Sequence, residues 1–280
     1  MTIDIHALSS ELRLAADGIW YGAGAPGISY PSAGNDACFA VEDGSFWFKH
    51  RNECITAVVK RFPPIANHPI FDIGGGNGFV SMGLQRAGFE VVLLEPGLSG
   101  AANAKKRGLP HVICATTDTA KICPGTLAAV GLFDVVEHME DDAAFLGSIR
   151  TLMKPGGRVY ATVPAYPCLW SVEDGAAGHF RRYRATAIGN VLEAAGFKVE
   201  FSSYIFRPLP IPIFLLRALP FRLGRSPAAP TSERHSRIHA AGGRPTTKLL
   251  GWLLRAEVDK LSNGRSMSFG GSCLVVATAA

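Results

Sequence analysis

The sequence predicts an α/β protein in which a parallel sheet is covered by helices on both faces. Two observations predict this class. Strand-like and helix-like patterns alternate along residues 46–204, and the first strand-like run leads through glycines directly into a helix. In such sheets, ligands bind outside the carboxyl ends of the strands. We therefore expect the functional residues where the strands end.

The first predicted strand, residues 70–73, is apolar and leads into three alternate glycines. They are Gly74, Gly76 and Gly78. Glycine allows a sharp backbone turn and leaves room for a ligand close to the backbone. From Phe79 onward the apolar spacing is helical, so the first amides of a helix face whatever lies above the turn.

Three classes of ligand use such a turn. A P-loop would need Gly-Lys-Ser/Thr at the start of the helix, and no lysine stands there. A dinucleotide fingerprint would need a third glycine where Phe79 stands. What remains is a nucleoside without a phosphate, because Asp72 precedes the turn and Glu95 ends the second strand, where it can accept from both ribose hydroxyls. S-adenosylmethionine is such a nucleoside.

The remaining elements are predicted in the following order. Residues 1–45 give little periodic signal apart from a helix near 9–16, and a helix over 46–60 is stopped by Pro63 and Pro64. After it come the strands 90–95, 111–115, 127–136, 158–163, 197–204 and 272–278, the helices 99–107, 142–153 and 186–195, a turn at 154–157 and a loop at 165–178.

Four segments resemble the ordered motifs of the class I S-adenosylmethionine-dependent methyltransferases. The segments are 71–78, 95–96, 133–138 and 152–157, and the resemblance covers roughly residues 40–203, nearest to a bacterial small-molecule branch of types 11 and 12. It implies a doubly wound, seven-stranded, mostly parallel Rossmann-like sheet with a reversed last strand. It also implies S-adenosylmethionine as cofactor and S-adenosylhomocysteine as product.

The resemblance carries expectations for individual cofactor-binding residues. The three glycines should admit the methionine part, Asp72 should orient its ammonium or the loop, and Glu95 should hold the ribose. The aromatic-basic segment 46–53 resembles a lid over the cofactor, although simple packing on the sheet is the alternative. The expected set is Trp47, Arg51, Asp72, Gly74, Gly76, Gly78, Glu95, Asp118, Phe133 and Asp134.

Two histidines are candidates for the catalytic base, because histidine titrates near neutrality. His138 follows the fourth predicted core strand, and His179 opens a basic aromatic run. For the acceptor we expect contacts from Tyr166, Arg181, Arg182 and Tyr183, with a salt-bridged scaffold as the alternative for the arginines.

No metal is expected. The alternative is a divalent ion on Asp134, Glu137 and His138, since quinone O-methyltransferases bind an ion with a similar cluster.

The chain divides into four parts on this interpretation. Residues 1–45 form a cap, 46–204 the cofactor-binding core, 205–268 a helical or irregular insertion and 269–280 the last strand. Apolar residues at helical spacing predict a helix over 246–261 within the insertion. The insertion begins with prolines among bulky apolar residues, and between 221 and 265 nine Lys/Arg stand against three acidic residues, a balance of +6. A hydrophobic hairpin on a bilayer surface, a substrate lid and a dimer face all fit residues 205–265.

Composition favours a cytoplasmic protein, with contact at the inner membrane face as an alternative. The mean hydropathy of +0.17 is high, six cysteines stand without any C-x-x-C pair, and the N-terminus lacks the apolar run of a signal peptide. No nucleic acid partner is expected, because the basic segment lacks interleaved aromatics for base stacking.

The predicted function is methyl transfer to an oxygen or nitrogen nucleophile of a small metabolite, glycan or lipid-linked acceptor in biosynthesis. Two alternatives stay open: an enzyme that cleaves or cyclises the cofactor, and a module that binds the nucleoside without catalysis.

Overall fold

A computed structural model describes residues 3–23, 32–225 and 245–280, with only the helical backbone described at 32–34 and 245–249. Within these ranges nine strands form one sheet in the order β1-β2-β5-β4-β3-β6-β7-β9-β8. The strands are β1 Arg13–Leu14, β2 Trp20–Tyr21, β3 Ile70–Ile73, β4 Val91–Leu94, β5 His111–Cys114, β6 Leu127–Phe133, β7 Met153–Pro164, β8 Phe197–Ile205 and β9 Ser272–Ala279.

Helices cover both faces of this sheet. They are α1 Ser32–Glu42, α2 Phe46–Arg61, α3 Phe79–Arg86, α4 Leu98–Lys106, α5 Thr117–Ala120, α6 Asp142–Leu152, α7 Val172–Ala177, α8 Ala185–Ala194, α9 Pro210–Ile213, α10 Leu219–Arg222 and α11 Pro245–Ser262. Large apolar clusters are buried on each side of the sheet, with Val92, Val130 and Val275 in one cluster and Ile70, Tyr160 and Val276 in another.

Seven of the strands form the predicted sheet. Strands β5, β4, β3, β6 and β7 are parallel, and β9 pairs antiparallel with both β7 and β8. The expectation of a mostly parallel sheet with a reversed last strand is confirmed. Two short strands extend it, since β2 pairs parallel with β5, and β1 pairs antiparallel with β2.

Several local predictions were wrong. The region 9–16 contains turns and β1 instead of a helix, and α1 lies where irregular structure was expected. Residues 154–157 belong to β7 rather than to a separate turn. Strand β6 ends at Phe133, because Asp134 adopts a positive φ of 58°, and a short 3-10 turn, Val136–His138, follows.

The start of the insertion is helical, not a hairpin. α9, a π-helical stretch Phe214–Ala218 and α10 follow one another without a break, and we call them together the insertion helix. Pro210 lies in the first turn of the insertion helix, where a missing N–H costs little, and Pro220 lies just after the π-helical stretch. Among the described residues, no helix combines the length and apolar character needed to cross a membrane.

Candidate cofactor and acceptor site

A cavity of about 670 Å³ opens at the carboxyl ends of the central strands. Its walls come from the glycine turn after β3, the ends of β4 and β6, α1, α2 and the segment 177–180. Of the residues predicted to bind the cofactor or act in catalysis, it is lined by Trp47, Arg51, Asp72, Gly74, Gly76, Glu95, Asp118, Phe133, Asp134, His138 and His179.

The glycine turn has the backbone geometry that its sequence predicts. Gly74, Gly76 and Gly78 have φ values of 71°, 54° and 75°, which strain any residue with a Cβ. A Cβ at Gly78 would lie 2.5 Å from Leu109 Cδ1, whereas the nearest atom to a Cβ at Gly76 is 3.8 Å away. Gly78 is therefore required by packing against Ala104 of α4 and Leu109 just after it, and Gly76 is the position left bare toward the cavity.

Asp72 is a buried carboxylate with one oxygen to spare. Ser81 Oγ donates to its Oδ2 at 2.6 Å, and Oδ1 has no hydrogen-bond partner among the described residues. Burial raises the pKa of Asp72 to about 6, against the opposing hydrogen bond from Ser81. An ammonium group of a ligand would give Oδ1 the partner it lacks.

Glu95 is fixed beside the glycine turn by two backbone amides. Gly76 N donates to its Oε2 at 2.9 Å, and Gly97 N donates to Oε1 at 2.7 Å. Burial raises the pKa of Glu95, although both amides oppose this shift. The carboxylate keeps lone pairs that can accept from ribose hydroxyls.

Helix α2 lies over the cavity and is tied to the strand ends by Arg51. The guanidinium of Arg51 contacts Asp134 Oδ2 at 2.8 Å and donates to Thr162 Oγ1 at 3.3 Å. Thr162 Oγ1 in turn donates to Asp134 Oδ1 at 2.8 Å. Three side chains from α2, β7 and the end of β6 thus form one polar group at the cavity wall.

Helix α1 closes another side of the cavity, and sequence reasoning missed it. Asn77 Nδ2 donates to Asn35 O at 2.7 Å and to Glu42 Oε1 at 3.1 Å, while Arg107 Nη2 contacts Glu42 Oε2 at 2.7 Å. Asn35, Cys38 and Glu42 line the cavity. Because this helix is held by polar contacts, its sequence lacks the apolar stripe that would have indicated it.

The charged lining is strongly acidic. Arg51 is the one Lys or Arg side chain among the described lining residues, and it is paired with Asp134. Six carboxyl side chains line the cavity, from Glu42, Asp72, Glu95, Asp118, Asp134 and Glu140. This wall favours a ligand that carries positive charge and disfavours one that carries a phosphate.

Beyond Asp134 the cavity wall becomes apolar around two histidines. Met139, Phe145, Ala177 and Phe180 line this end together with His138 and His179. The two imidazole rings meet edge to face with their centroids 4.8 Å apart. Burial and the neighbouring His179 lower the pKa of His138 to about 4, so His138 is neutral at pH 7.

His179 has a carboxylate partner that sequence reasoning missed. Its Nδ1 lies 3.0 Å from Asp174 Oδ1, and Arg182 Nε donates to the same oxygen at 2.7 Å. Burial acts to raise the pKa of Asp174, but the hydrogen bond from His179 and the charge of Arg182 outweigh it and lower that pKa. The spacing Ser171-x-x-Asp174, a capping-box pattern, was the available signal for an ordered Asp174.

The four residues predicted to contact the acceptor lie outside the cavity lining. Arg182 binds Asp174, Arg181 pairs with Asp142 at 3.0 Å, and Tyr183 donates to the same Asp142 at 2.7 Å. Tyr166 stacks on Tyr204 with ring centroids 5.0 Å apart. In this structure Arg181, Arg182 and Tyr183 build the scaffold that was the predicted alternative.

Glu137, His138 and His179 bring one carboxylate and two imidazoles together. Their ligand atoms lie within 4.8 Å of one another, and both carboxyl oxygens of Glu137 are buried without a hydrogen-bond partner in the described part of the chain. Burial and the nearby Asp134 raise the pKa of Glu137 well above its usual range. This set could hold a divalent ion, whereas Asp134, part of the predicted alternative, is paired with Arg51 and Thr162.

Comparison with known proteins gives the same family for most of the core. Residues 47–201, more than half of the chain, match the family model of the methyltransferase domain. The ubiquinone biosynthesis O-methyltransferase of Colwellia psychrerythraea is 26% identical over 160 residues, which are 50% of this chain and 65% of that protein. The corresponding enzyme of Paramagnetospirillum magneticum is 33% identical over 99 residues, 34% of this chain and 39% of that protein. The matched part thus spans less than two thirds of either relative.

Among solved structures, phosphoethanolamine N-methyltransferase 2 of Haemonchus contortus in complex with S-adenosyl-L-methionine is similar in fold. The two chains share 16% identity with a TM-score of 0.54, over 90% of this chain and 58% of the other. At this identity the likeness concerns the fold alone.

Proposed function

Because this chain belongs to the methyltransferase domain family and has the class I S-adenosylmethionine-dependent fold, we propose that it transfers a methyl group to a hydroxyl of a small, uncharged, largely apolar acceptor. S-adenosylmethionine is the cofactor. The observation that carries the proposal is the Asp174–His179 pair at the apolar end of an otherwise acidic cavity.

The residues present suit this cofactor. The unpartnered Oδ1 of Asp72 would accept from its ammonium, Glu95 would accept from its ribose hydroxyls, and the bare backbone at Gly76 would admit its chain. When bound, the cofactor supplies a methyl group on a sulfonium and leaves as S-adenosylhomocysteine. The excess of carboxylates in the lining favours this positively charged group.

His179 is the base in this mechanism. Asp174 holds Nδ1 of His179 as the protonated nitrogen, which leaves Nε2 to accept a proton. The bound cofactor would supply its methyl group to the acceptor oxygen, and Nε2 of His179 would accept the hydroxyl proton. With a pKa of about 4, His138 is too weak a base at neutral pH, and we assign it a packing role against His179.

The acceptor class follows from the wall around the two histidines. Met139, Phe145 and Phe180 offer apolar and aromatic contact, and no unpaired cation lines the described part of the cavity to bind a carboxylate or phosphate. The two relatives matched by sequence are O-methyltransferases, which supports oxygen over nitrogen as the methylated atom.

The test measures S-adenosylhomocysteine release with catechol, a long-chain alkylphenol, phosphoethanolamine and benzoate as probes. We expect turnover with the neutral phenols. His179→Asn should lower kcat on the order of a hundredfold or more with cofactor affinity unchanged, and Asp174→Asn should lower it about tenfold or more because the tautomer is no longer fixed.

The matched control is His138→Asn, which should keep kcat within about tenfold of the wild-type value. Equal losses in both histidine variants would contradict the base assignment and point to joint ligation of an ion. Turnover of phosphoethanolamine or benzoate in place of the phenols would overturn the acceptor class. Cofactor binding without turnover of any probe would favour the non-catalytic alternative.

For the insertion helix we propose contact with an anionic lipid surface, in preference to a lid or dimer face. Four bulky apolar side chains of this helix and one directly after it are exposed: Ile211, Leu215, Leu216, Phe221 and Leu223. The relative exposure of Leu216 is 70%. Residues 205–225 contain four arginines and no acidic residue. An apolar helix flanked by cations suits the boundary of an anionic bilayer.

This surface adjoins the acceptor end of the cavity. Arg222 donates to Cys168 O at 3.1 Å, and Arg217 Nε lies 3.8 Å from Glu173 Oε1. The chain continues from Glu173 to Ala177 and His179, which line the cavity. A helix seated on lipid would therefore hold the acceptor end near an apolar acceptor that partitions into the bilayer.

Flotation with phosphatidylglycerol vesicles tests the lipid contact. We expect wild-type protein to float with these vesicles and not with phosphatidylcholine vesicles, and Leu215→Glu/Leu216→Glu to lower the bound fraction about tenfold or more. Leu98→Glu is the matched control, because Leu98 is 67% exposed on α4. Unchanged flotation of the double variant would reject lipid contact through this helix. A wild-type dimer that becomes monomeric in the double variant would assign the exposed side chains to a dimer face instead.

A further inference from the structure

A second group of potential ligand atoms lies outside the cofactor cavity, between α2 and α11. His50 and Cys54 stand four residues apart on α2, so they share one face of that helix, and Glu257 approaches from α11. All three side chains are buried, with relative exposures of 3%, 0% and 2%. None of them lines the cavity described above.

His50 Nε2 lies close to the potential ligand atoms of both other side chains. His50 Nε2 lies 3.0 Å from Glu257 Oε2 and 3.4 Å from Cys54 Sγ, and the three atoms fall within 4.8 Å. Around a tetrahedral zinc with bonds of about 2.0–2.3 Å, ligand atoms are separated by roughly 3.3–3.6 Å. The nitrogen–oxygen and nitrogen–sulfur separations are within a few tenths of an ångström of that spacing.

Backbone amides already orient the carboxylate. Phe206 N donates to Glu257 Oε2 at 2.8 Å, and Arg207 N donates to Oε1 at 2.7 Å. In metal sites, hydrogen bonds of this kind typically hold the ligand side chains in the orientation that binds the ion.

The charges also match a divalent ion. A thiolate and a carboxylate together neutralise one divalent cation, so the occupied group would bury no net charge. Without an ion, burial and the nearby Glu257 raise the pKa of Cys54 well above its usual range, so the group holds a thiol. Binding would release this thiol proton to solvent.

We propose that His50, Cys54 and Glu257 form a binding site for a thiophilic divalent ion, with zinc as the expected ion, that fastens α11 to α2. His50, Cys54 and Glu257 supply nitrogen, sulfur and oxygen, the ligand types that zinc takes in proteins. The site is separate from the set formed by Glu137, His138 and His179, which contains no sulfur.

Cobalt substitution tests this site directly, because a thiolate bound to Co²⁺ gives a sulfur-to-metal charge-transfer band that nitrogen and oxygen ligands do not give. The full chain, without an affinity tag and stripped of metal, is titrated with Co²⁺. We expect the band to saturate at about one ion per chain and to disappear in Cys54→Ser. Cys273→Ser is the matched control and should keep the band, since Cys273 is equally buried, its Sγ donates to Tyr183 O at 3.7 Å, and it belongs to no cluster of potential ligands among the described residues.

A second readout is thermal stability. Zinc added to the stripped protein should raise the Tm of the wild type and of Cys273→Ser, and leave that of Cys54→Ser unchanged. Absence of the band in the folded wild type, or its persistence in Cys54→Ser, would overturn the proposal, and the trio would then be a hydrogen-bonded link only. Neither result depends on methyl transfer, so the outcome is independent of the proposed function.

Discussion

At the scale of single residues, Asp72 lowers the stability of the fold in a position where it would favour cofactor binding. Its carboxyl group is fully buried, one oxygen has no hydrogen-bond partner among the described residues, and burial raises its pKa from the ordinary value of 3.8 to about 6. Between these two pH values Asp72 is ionised in the unfolded chain and still protonated in the folded protein. The free energy of unfolding therefore falls as pH rises from about 4 to 6, and the full penalty is present above pH 6.

Asp72→Asn should consequently stabilise the protein while weakening the cofactor site. At pH 8 we expect the free energy of unfolding to rise by up to about 3 kcal/mol, measured by urea denaturation. Affinity for S-adenosylmethionine, measured by calorimetry, should fall about tenfold or more, because the ammonium loses an anionic partner. A variant that is both less stable and unchanged in affinity would contradict this role.

The same carboxyl group should make cofactor affinity depend on pH. Wild-type affinity should rise as pH increases through about 6, as Asp72 ionises. Ser81→Ala should move the midpoint upward, since Ser81 donates to the ionised form. The dependence should be absent from Asp72→Asn, and its persistence there would assign it to another group.

Several predicted site residues that line the cavity are ones whose positions follow from the predicted strands. Asp72, Gly76 and Glu95 stand at or just after the carboxyl ends of predicted strands, so the sheet order sets their location. Asp174 could not be placed in this way, because it lies in α7 and not at a strand end. Its partner His179 follows the C-terminus of that helix at Gly178. The charges of Arg181 and Arg182 were visible, but their carboxylate partners were not.

At the scale of elements, α2 carries three cavity residues, Trp47, Phe48 and Arg51, and depends on its N-cap. Ser45 Oγ accepts from Trp47 N at 3.2 Å, and Trp47 and Arg51 line the cavity from the same helix. Ser45→Ala should lower the free energy of unfolding by about 1 kcal/mol and weaken S-adenosylmethionine binding several-fold, measured by denaturation and calorimetry.

Asp141→Ala provides the comparison, since Asp141 caps α6 by accepting from Ala144 N at 2.9 Å. A similar loss of stability is expected without a change in cofactor affinity. If both variants weakened binding equally, the effect would reflect general destabilisation rather than the placement of α2.

Elements with an apolar stripe or a clear turn residue were predictable, and those held by polar partners were not. The helix over residues 46–60 was recognised from its pattern and its proline stop, and the observed α2 is Phe46–Arg61. By contrast, α1 is held by Asn77 and Arg107, which lie far along the chain. The prolines of the insertion suggested a hairpin as one alternative, whereas Pro210 begins the insertion helix and Pro220 follows its π-helical stretch.

At the scale of the whole molecule, β9 completes the sheet. It pairs with β7 on one side and β8 on the other, from Arg158↔Thr278 to Ile205↔Ser272. A chain that stops at residue 270 would leave both neighbours with unpaired backbone groups. We expect such a truncation to abolish cooperative unfolding and cofactor binding, as measured by circular dichroism and calorimetry. Retained cofactor affinity in the truncated chain would show that the parallel half folds alone.

The position of β9 also affects how the protein must be made. Strand β8 has been synthesised when β9 is still to come, because residues 206–271 emerge from the ribosome between them. During that interval the nascent chain presents two open strand edges together with the apolar insertion helix. Chaperone capture of the nascent polypeptide is therefore expected to be strongest just before translation reaches the last strand.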